Sequence, residues 1–174
     1  HCLVGSEMCI RDSYYSDNGN FEFLHTRLSI QDLSSDANQP MISRNKRFII
    51  VFNGEIFNHL KLRKKHFKEF DRFKTYSDTE TLLEMISELG IENTLSEIKG
   101  QYAFAIWDFN LKKIFIVVDR LSEKPLYYNL LNDYLVFSSD LHPFKYLNFV
   151  EKKVSKTGLS QLLKFNYIPH PHSI

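Results

Sequence analysis

The chain contains both strand-like and helix-like patterns of apolar residues. Residues 21–25 alternate apolar and polar side chains, which is typical of a strand with one buried face. Residues 48–52 form a continuous apolar run that predicts a buried strand ending at Asn53-Gly54. Apolar residues then recur at near-helical spacing, which predicts a helix with Ile56 and Leu60 on its inner face.

Two helices and a group of short strands are predicted further along. Residues 77–80, Ser-Asp-Thr-Glu, have the form of a capping box, in which serine and glutamate satisfy N–H groups at the start of a helix. The amphipathic helix that follows is predicted to end at Gly90. The remaining predicted elements are a helix at 91–98, strands at 102–107, 113–118, 126–128 and 134–138, and a helix at 141–147. This order indicates an α+β fold with antiparallel sheets.

Composition narrows the class of protein. The chain has 174 residues, enough for one domain or one domain and the start of another, and 43% of them are apolar. Its net charge is +1 with both signs interspersed, which gives no footprint for nucleic acid or an anionic membrane. The basic run at 61–68 is interpreted as the solvated face of a helix. No apolar stretch reaches the length of a membrane span and no secretory signal is visible, so a cytoplasmic location is expected.

Residues 3–13, LVGSEMCIRDS, have neither helical nor strand periodicity. They resemble the translation of a transposase adapter used in sequencing libraries. Residues 1–13 are therefore interpreted as a non-native segment, with a natural irregular arm as the alternative. Both cysteines, Cys2 and Cys9, lie in this segment and do not make a disulfide framework. His170 and His172, in a proline-rich stretch, are interpreted as loop residues and not as metal ligands.

Asn53-Gly54 carries the first candidate chemistry. A side-chain amide beside a glycine at the end of a strand can present two neutral hydrogen-bond donors to one point, which is the arrangement of an oxyanion hole. Taken alone, the dipeptide has a simpler interpretation, because Asn-Gly most often forms the turn between two strands.

Five ordered segments favour the oxyanion hole: LHTRLSIQDLS (24–34), QPM (39–41), FNGEIFN (52–58), SDTE (77–80) and DRLSEKPLYY (119–128). In this order they resemble the glutaminase domain of asparagine synthetases, a class II glutamine amidotransferase, over residues 14–147. The resemblance implies an N-terminal-nucleophile fold, an αββα sandwich of two antiparallel sheets between helical layers. It implies hydrolysis of glutamine to glutamate and ammonia. It also implies that a C-terminal synthetase domain, using ATP and Mg²⁺, activates aspartate and receives the ammonia.

The resemblance assigns roles to individual residues. Arg27 matches the residue that binds the substrate α-carboxylate, since a guanidinium donates two parallel hydrogen bonds. Asp78 matches the carboxylate that receives the α-amino group, although an acid is also common in the first turn of a helix. Asn53 and Gly54 match the oxyanion hole, and Glu55 completes the site at the substrate amino end. The pocket wall is assigned to Leu28, Ser29, Ile30 and Gln31, with His25 and Thr26 as supporting residues.

No residue matches the nucleophile, which in this family is a cysteine at the mature N-terminus whose thiolate attacks the amide carbon. Cys2 lies only 25 residues before Arg27, which is too close, and Cys9 is not terminal. We therefore expect a domain truncated at its N-terminus that cannot hydrolyse glutamine. Residues 14–150 would be the partial amidotransferase domain, and residues 151–174 a linker or the start of the synthetase domain.

One departure from the family and two alternatives remain open. Ser122 stands where the family usually has glycine, in a segment expected to face the partner domain, so the ammonia acceptor is undecided. One alternative is a related enzyme that aminates another carboxylate, for example in surface-polysaccharide synthesis. The other is a non-catalytic domain that binds glutamine or docks a partner. Expected partners are glutamine and the synthetase domain, with a homodimer left open. No nucleic acid, membrane, metal or cofactor is expected in this domain.

Overall fold

The computed structural model describes residues 9–16, 21–28, 34–68, 72–131, 134–150, 153–169 and 172. The chain forms two compact units, His1–Leu126 and Tyr127–Ile174. The predicted division into residues 1–13, 14–150 and 151–174 separates segments by their origin and family. The two compact units do not test it, so this division stays a prediction.

The first unit combines antiparallel strands with helices. In chain order its elements are β1 (Cys9–Tyr15), β2 (Glu22–Leu28), β3 (Met41–Ile42), β4 (Phe48–Ile56), α1 (His59–His66), α2 (Asp78–Leu89), α3 (Ile91–Glu97), β5 (Gly100–Asp108) and β6 (Lys113–Val118), with a 3-10 turn at Ser35–Ala37. β1 and β2 form an antiparallel hairpin, and β3, β4, β5 and β6 form an antiparallel sheet in that order. The predicted α+β class with antiparallel sheets is confirmed.

The long pairing of β4 with β5 is the centre of the four-stranded sheet. Its register runs from Phe48 opposite Asp108 to Ile56 opposite Gly100. The helix α2 packs against β4 and shares an apolar core with the sheet. The buried residues of this core include Ile50, Phe52, Leu82, Leu83, Ile86 and Ile106. This packing brings the end of β4 to the start of α2, where the Ile56 N–H donates to the Asp78 carboxylate.

The strand β4 does not end at Asn53-Gly54. Its ladder with β5 continues through these residues and Glu55 to Ile56. The interpretation of Asn53-Gly54 as a turn is therefore wrong, and so is the prediction of a helical Ile56. The apolar run breaks at Asn53 because the side chains of Asn53 and Glu55 are exposed, while the backbone keeps its pairing.

The helix α1 buries a different face from the predicted one. Leu60 is 50% exposed, whereas Leu62 and Arg63 are buried. The predicted inner face is therefore wrong at Leu60. The interpretation of residues 61–68 as a solvated face is wrong at Arg63.

The helices α2 and α3 follow the sequence pattern closely. The Ser77 hydroxyl accepts the N–H of Glu80 at 3.2 Å, which is the serine half of the predicted capping box. The glutamate half is wrong, because the Glu80 carboxylate accepts the N–H groups of Lys74 and Thr75, and the Ser77 N–H donates to the Thr75 hydroxyl. The helix α2 ends at Gly90, whose φ of +82° is readily adopted by glycine. The predictions for both helices are confirmed.

The strand β1 occupies part of the segment interpreted as non-native. It pairs with β2 in antiparallel register, and the rings of Tyr14 and Phe21 stack with centroids 5.7 Å apart. The prediction of an irregular segment is therefore wrong for residues 9–13. The origin of residues 1–13 stays a prediction, and residues 1–8 lie outside the described part of the chain.

The second unit consists of a hairpin followed by helical segments. β7 (Tyr127–Leu131) and β8 (Tyr134–Ser138) pair antiparallel, and a 3-10 helix (His142–Tyr146) replaces the predicted helix at 141–147. The helix α4 (Lys156–Phe165) falls in the predicted linker. The sequence signal for it is Ser155, whose hydroxyl accepts the Gly158 N–H at 3.0 Å.

None of the helices in the described ranges is both long enough and apolar enough to cross a membrane.

Candidate active site

The second half of β4, residues 53–56, carries the predicted oxyanion donors. Asn53 lies opposite Ala103, and Gly54 lies opposite Tyr102. The Tyr102 N–H donates to the Asp119 carboxylate at 3.1 Å and its carbonyl accepts the Asp119 N–H at 2.8 Å, so both point away from β4. In an antiparallel ladder, opposed residues that exchange two backbone hydrogen bonds alternate with opposed residues that exchange none. Gly54 and Tyr102 form a pair without such bonds, so the Gly54 N–H lies on the edge of β4 that faces away from β5.

Side chains, and not a long strand, occupy that other edge. β3 is two residues long, and its ladder with β4 ends before the second half of β4 begins. Beyond it, the side-chain oxygen of Gln39 accepts the Phe52 N–H at 2.6 Å. The Asp78 carboxylate accepts the Ile56 N–H at 2.8 Å. The Gly54 N–H lies between these two bonds, on the same edge of the strand.

Gly54 has a backbone conformation and surroundings that require glycine. Its φ is +151°, which side-chain-bearing residues rarely adopt. A Cβ built at this position would overlap the carbonyl oxygen of Gln101 and lie 2.6 Å from the Cα of Tyr102. The glycine therefore allows the close approach of β4 and β5 at the point where the N–H is presented.

Asp78 is a buried carboxylate at the first position of α2. It is 6% exposed, its Oδ2 accepts the Ile56 N–H and its Oδ1 accepts the Thr79 N–H at 2.8 Å. Burial raises the pKa of the Asp78 carboxyl above its ordinary value, and the bond from Ile56 and the nearby His59 counter only part of this effect. A carboxylate in this environment is stabilised by a cationic partner, such as a protonated amine.

His59, the first residue of α1, places an imidazole near this carboxylate. Burial lowers the pKa of the His59 ring, and the charges of Asp78 and Glu55 offset this only in part. Its Nδ1 is buried and has no hydrogen-bond partner among the described residues. The ring is therefore neutral at neutral pH and does not compete with a substrate ammonium group. His59 is absent from the predicted site because it lies one residue beyond the FNGEIFN segment.

The backbone N–H and carbonyl of Phe52, directly before Asn53, are each bound by a side chain. Gln39 accepts its N–H, as described above, and donates from Nε2 to the Thr79 hydroxyl at 3.3 Å. The Nε2 of His25 donates to the Phe52 carbonyl at 3.1 Å, since a carbonyl only accepts. The supporting role assigned to His25 stays a prediction.

Arg63 is a buried cation behind the start of α2. It is 3% exposed and donates to the Thr81 hydroxyl (2.6 Å), the Thr75 carbonyl (2.7 Å) and the Ser77 carbonyl (2.6 Å). The planar fork of an arginine suits several acceptors at once. By binding two carbonyls of the segment that leads into α2, Arg63 fixes the approach to Asp78.

Four of the predicted site residues come together at the end of β4 and the start of α2. Asn53 and Glu55 are exposed on β4, with Gly54 between them, and Asp78 is joined to the strand through the Ile56 N–H. This grouping carries a backbone N–H, an exposed side-chain amide and a buried carboxylate.

The other predicted residues are placed only in part. The backbones of Arg27 and Leu28 end β2, opposite Ile10 and Cys9, and their side chains lie outside what the structure describes. The remaining predicted positions, Ser29, Ile30 and Gln31, lie outside the described residues, as does Cys2.

A cavity of about 970 Å³ lies next to β3. It contains none of the predicted site residues, and charges of both signs line it: Asp36, Arg44, Lys46, Arg72, Lys74, Glu80 and Glu84. Its buried acids already have partners. Glu84 accepts the Arg44 N–H at 2.8 Å, and Glu80 accepts the Thr75 N–H at 2.8 Å. The donors and the carboxylate at the β4 edge are therefore the better candidate site.

The segment DRLSEKP forms a loop organised by Asp119. Burial acts to raise the pKa of the Asp119 carboxyl, but bonds from backbone N–H groups outweigh this and lower it. The donors are the N–H groups of Tyr102, Leu121, Glu123 and Lys124. Ser122 has a φ of +53°, a left-handed conformation that favours glycine, which accounts for the usual glycine at this position.

A solved amidotransferase shares this fold. The glutamine phosphoribosylpyrophosphate amidotransferase of B. subtilis, solved with ADP and GMP, superposes with a TM-score of 0.59 at 26% sequence identity. The match covers 70% of this chain and 28% of that protein. The fold is therefore that of the N-terminal-nucleophile amidotransferases, as the motifs predict.

The family model described as a glutamine amidotransferase domain matches residues 11–174, and the chain belongs to this family. It is 33% identical over 164 residues to the glutamine-hydrolysing asparagine synthetase 1 of Bacillus subtilis, which covers 94% of this chain and 25% of that protein. It is 38% identical over 114 residues to the glutamine-hydrolysing asparagine synthetase B of Escherichia coli, covering 66% of this chain and 20% of that protein. The resemblance to the glutaminase domain of these synthetases is confirmed. The chain spans a quarter of the length of the first relative.

Proposed function

We propose that this domain binds L-glutamine at the second half of β4 and the start of α2, as the glutamine-hydrolysing part of an amidotransferase. The supporting observation is the position of the Gly54 N–H, which lies on the edge of β4 between the N–H groups of Phe52 and Ile56, accepted by Gln39 and by the buried Asp78. The exposed Asn53 precedes it directly in the chain. Two neutral donors suit an amide oxygen that gains negative charge, and the carboxylate suits an ammonium group.

Each end of the substrate has a partner in this proposal. Asp78 receives the α-ammonium group, with Glu55 at the same end, and Arg27 pairs with the α-carboxylate. The side-chain amide then extends to Asn53 and Gly54. The wall of the pocket is formed by Leu28, Ser29, Ile30 and Gln31.

The proposed chemistry is acyl transfer through a thioester. A cysteine thiolate attacks the amide carbon, the carbon–nitrogen bond breaks, and ammonia leaves after taking up a proton. Water then releases glutamate and restores the thiolate. Asn53 and Gly54 stabilise the oxyanion of the tetrahedral intermediates, and loss of one such donor costs on the order of 100-fold in rate. Neither Cys2 nor Cys9 matches the nucleophile, so we propose that the chain as given binds glutamine without hydrolysing it.

The role of the whole enzyme is a wider proposal, supported by the asparagine synthetases among its relatives. Ammonia would pass to a synthetase domain that activates aspartate with ATP and Mg²⁺, in a cytoplasmic enzyme. A homodimer is a further proposal. Ser122, in the Asp119 loop, leaves open an acceptor other than aspartate.

Calorimetric titration with L-glutamine tests the binding site. We expect binding of L-glutamine, none of D-glutamine, and about 100-fold weaker binding in Asp78→Asn, because the partner of the ammonium group is lost. Glu88→Gln is the matched control, since Glu88 lies near the other end of α2 and pairs with Arg72 at 2.9 Å. An Asp78→Asn variant that binds glutamine as tightly as the parent protein would contradict the proposal.

Hydrolysis is tested separately with a coupled assay for ammonia. We expect no glutamine-dependent release from the purified chain. Release that Cys2→Ala abolishes would identify Cys2 as the nucleophile and overturn the proposed inactivity.

A further inference from the structure

Gln39 occupies the position at which β3 would otherwise continue along β4. The register places Met41 opposite Ile50, and two residues further it places Gln39 opposite Phe52. In a regular antiparallel ladder the backbone carbonyl of Gln39 would accept the Phe52 N–H. The side-chain carbonyl accepts it instead, at 2.6 Å. A side chain therefore replaces the strand at the last edge position before Gly54.

The same side chain also reaches α2. Its Nε2 donates to the Thr79 hydroxyl at 3.3 Å, and the Thr79 N–H donates to the Asp78 carboxylate. Gln39 and Thr79 are both buried, so this bridge is shielded from water. One planar amide thus connects the residue before Asn53 with the residue after Asp78.

We infer that Gln39 is a positioning residue of the glutamine site, which sets the spacing between the Gly54 N–H and the Asp78 carboxylate without touching the substrate. The inference rests on the proposed function. The Gly54 N–H belongs to β4 and the Asp78 carboxylate belongs to α2, and both groups must face the same ligand. Without the bridge, the Phe52 N–H is left buried and unpaired, and the edge of β4 moves to find another partner.

Ser43 provides a matched control on the same strand edge. It is buried, and its hydroxyl accepts the Phe48 N–H at 2.9 Å, at the other end of β4. Ser43→Ala therefore removes the same kind of bond, from a side-chain oxygen to a β4 N–H, but away from Gly54. The test variant is Gln39→Met, which keeps the length of the side chain without its polar atoms. Gln39→Glu keeps an oxygen for the Phe52 N–H and serves as the conservative variant.

Two readouts are compared in these variants. The first is amide hydrogen exchange by NMR without glutamine. We expect exchange at Phe52 to become at least about tenfold faster in Gln39→Met and the Gly54 resonance to shift, with neither change in Ser43→Ala. The second is the glutamine Kd. We expect it to rise about tenfold in Gln39→Met, to stay within about twofold in Ser43→Ala, and to be largely restored in Gln39→Glu.

The two readouts separate this inference from the proposed function. If the parent protein does not bind glutamine, the proposed function fails. Whether or not it binds, unchanged amide exchange at Phe52 and an unchanged Gly54 resonance in Gln39→Met would overturn the positioning role. If the parent binds glutamine, equal affinities in Gln39→Met and Ser43→Ala overturn the inference and leave the site intact. Should Gln39→Met not fold, Thr79→Val replaces it, because it removes the hydroxyl that accepts the Gln39 Nε2 and keeps the shape of the side chain. A glutamine Kd in Thr79→Val equal to that in Ser43→Ala would then overturn the inference.

Discussion

The two halves of β4 differ in what surrounds them. Residues 48–52 are all buried, β5 pairs with all of them, and β3 pairs with Ile49 and Ile50. Gln39 marks the boundary, where its side chain accepts the Phe52 N–H. From Asn53 to Ile56 the ladder with β5 continues, and on the other edge the Asp78 carboxylate accepts the Ile56 N–H. The first half is held mainly by apolar packing and strand pairing. In the part of the chain that the structure describes, the second half is held on that edge by a polar side chain.

On the proposed function, this difference lets one strand serve both as core and as site. Regular ladders on both edges of a strand use all its N–H groups and leave none for a ligand. Where the side chains of Gln39 and Asp78 replace the neighbouring strand, the Gly54 N–H between them has no ladder partner among the described residues. The apolar half anchors the strand so that the polar half keeps its geometry.

The largest effect is expected at Gly54. Gly54→Ala forces a Cβ against the backbone of Gln101 and Tyr102, so we expect a loss of about 4 kcal/mol in the free energy of unfolding and no glutamine binding. Gly90→Ala is the control, since Gly90 also has a positive φ but has open space around it, and it should cost only its conformational strain of about 1 to 3 kcal/mol. Urea denaturation and calorimetry measure both. Equal costs at the two glycines would contradict the close approach of β4 and β5.

A core substitution should affect stability without affecting the site. Ile50 is fully buried in the first half of β4, and Ile50→Ala should lower the free energy of unfolding by about 3 kcal/mol. The glutamine Kd of the folded fraction should not change. Ile42→Ala, at a half-exposed isoleucine of the same sheet, should cost far less. A changed Kd in Ile50→Ala would mean that the two halves are not independent.

Glutamine binding should depend on pH through Asp78. Its pKa in the free protein is raised, and an ammonium group binds the ionised carboxylate, so affinity should fall about tenfold per pH unit below that raised pKa. The stability contribution has the opposite sign: it is full below the ordinary pKa and is lost as pH rises through the raised one. Calorimetry and denaturation across the acid range measure both trends.

His59 also lies near Asp78, and burial lowers the pKa of its ring, so the control must separate these two groups. Arg63 stays charged throughout the acid range. If the glutamine affinity of a His59→Asn variant depends on pH as that of the parent protein does, the pH dependence is assigned to Asp78. If the pH dependence disappears in this variant, it is assigned to the imidazole of His59.

The smallest effect is expected in the loop that binds the other edge of β5. Ser122 has a positive φ, so Ser122→Gly should stabilise the domain by about 0.5 to 1 kcal/mol. Ser122→Ala should bring no gain, because alanine has the same conformational cost. A thermal melt of the three proteins is sufficient. Equal melting temperatures for glycine and serine would show that the left-handed conformation is not strained.

The sequence predicts the regular parts of this fold and the residue types of the site. The apolar run at 48–52 and the Ser77 cap of α2 follow from periodicity and local hydrogen bonding, and both are confirmed. Asp78 lies in the first turn of α2, as predicted, and accepts the Ile56 N–H, two residues beyond Gly54, while its role toward a substrate stays a prediction.

Tertiary contacts account for the rest. Asn53 and Glu55 break the apolar pattern, so the strand is predicted to end where its side chains leave the core. Arg63 belongs to a basic run, and only the carbonyls of Thr75 and Ser77, brought in from another segment, explain its burial. The role of Gln39 likewise depends on a register with β4 that local sequence does not encode.

The shortness of β3 has a consequence for protein engineering. A designer who lengthened β3 to pair with residues 52–56 would add ladder bonds and obtain a more regular sheet. The same change would seal the edge on which the Gly54 N–H is presented. Stabilising this domain by idealising its backbone and keeping its proposed ligand site open are therefore opposing aims at this one edge.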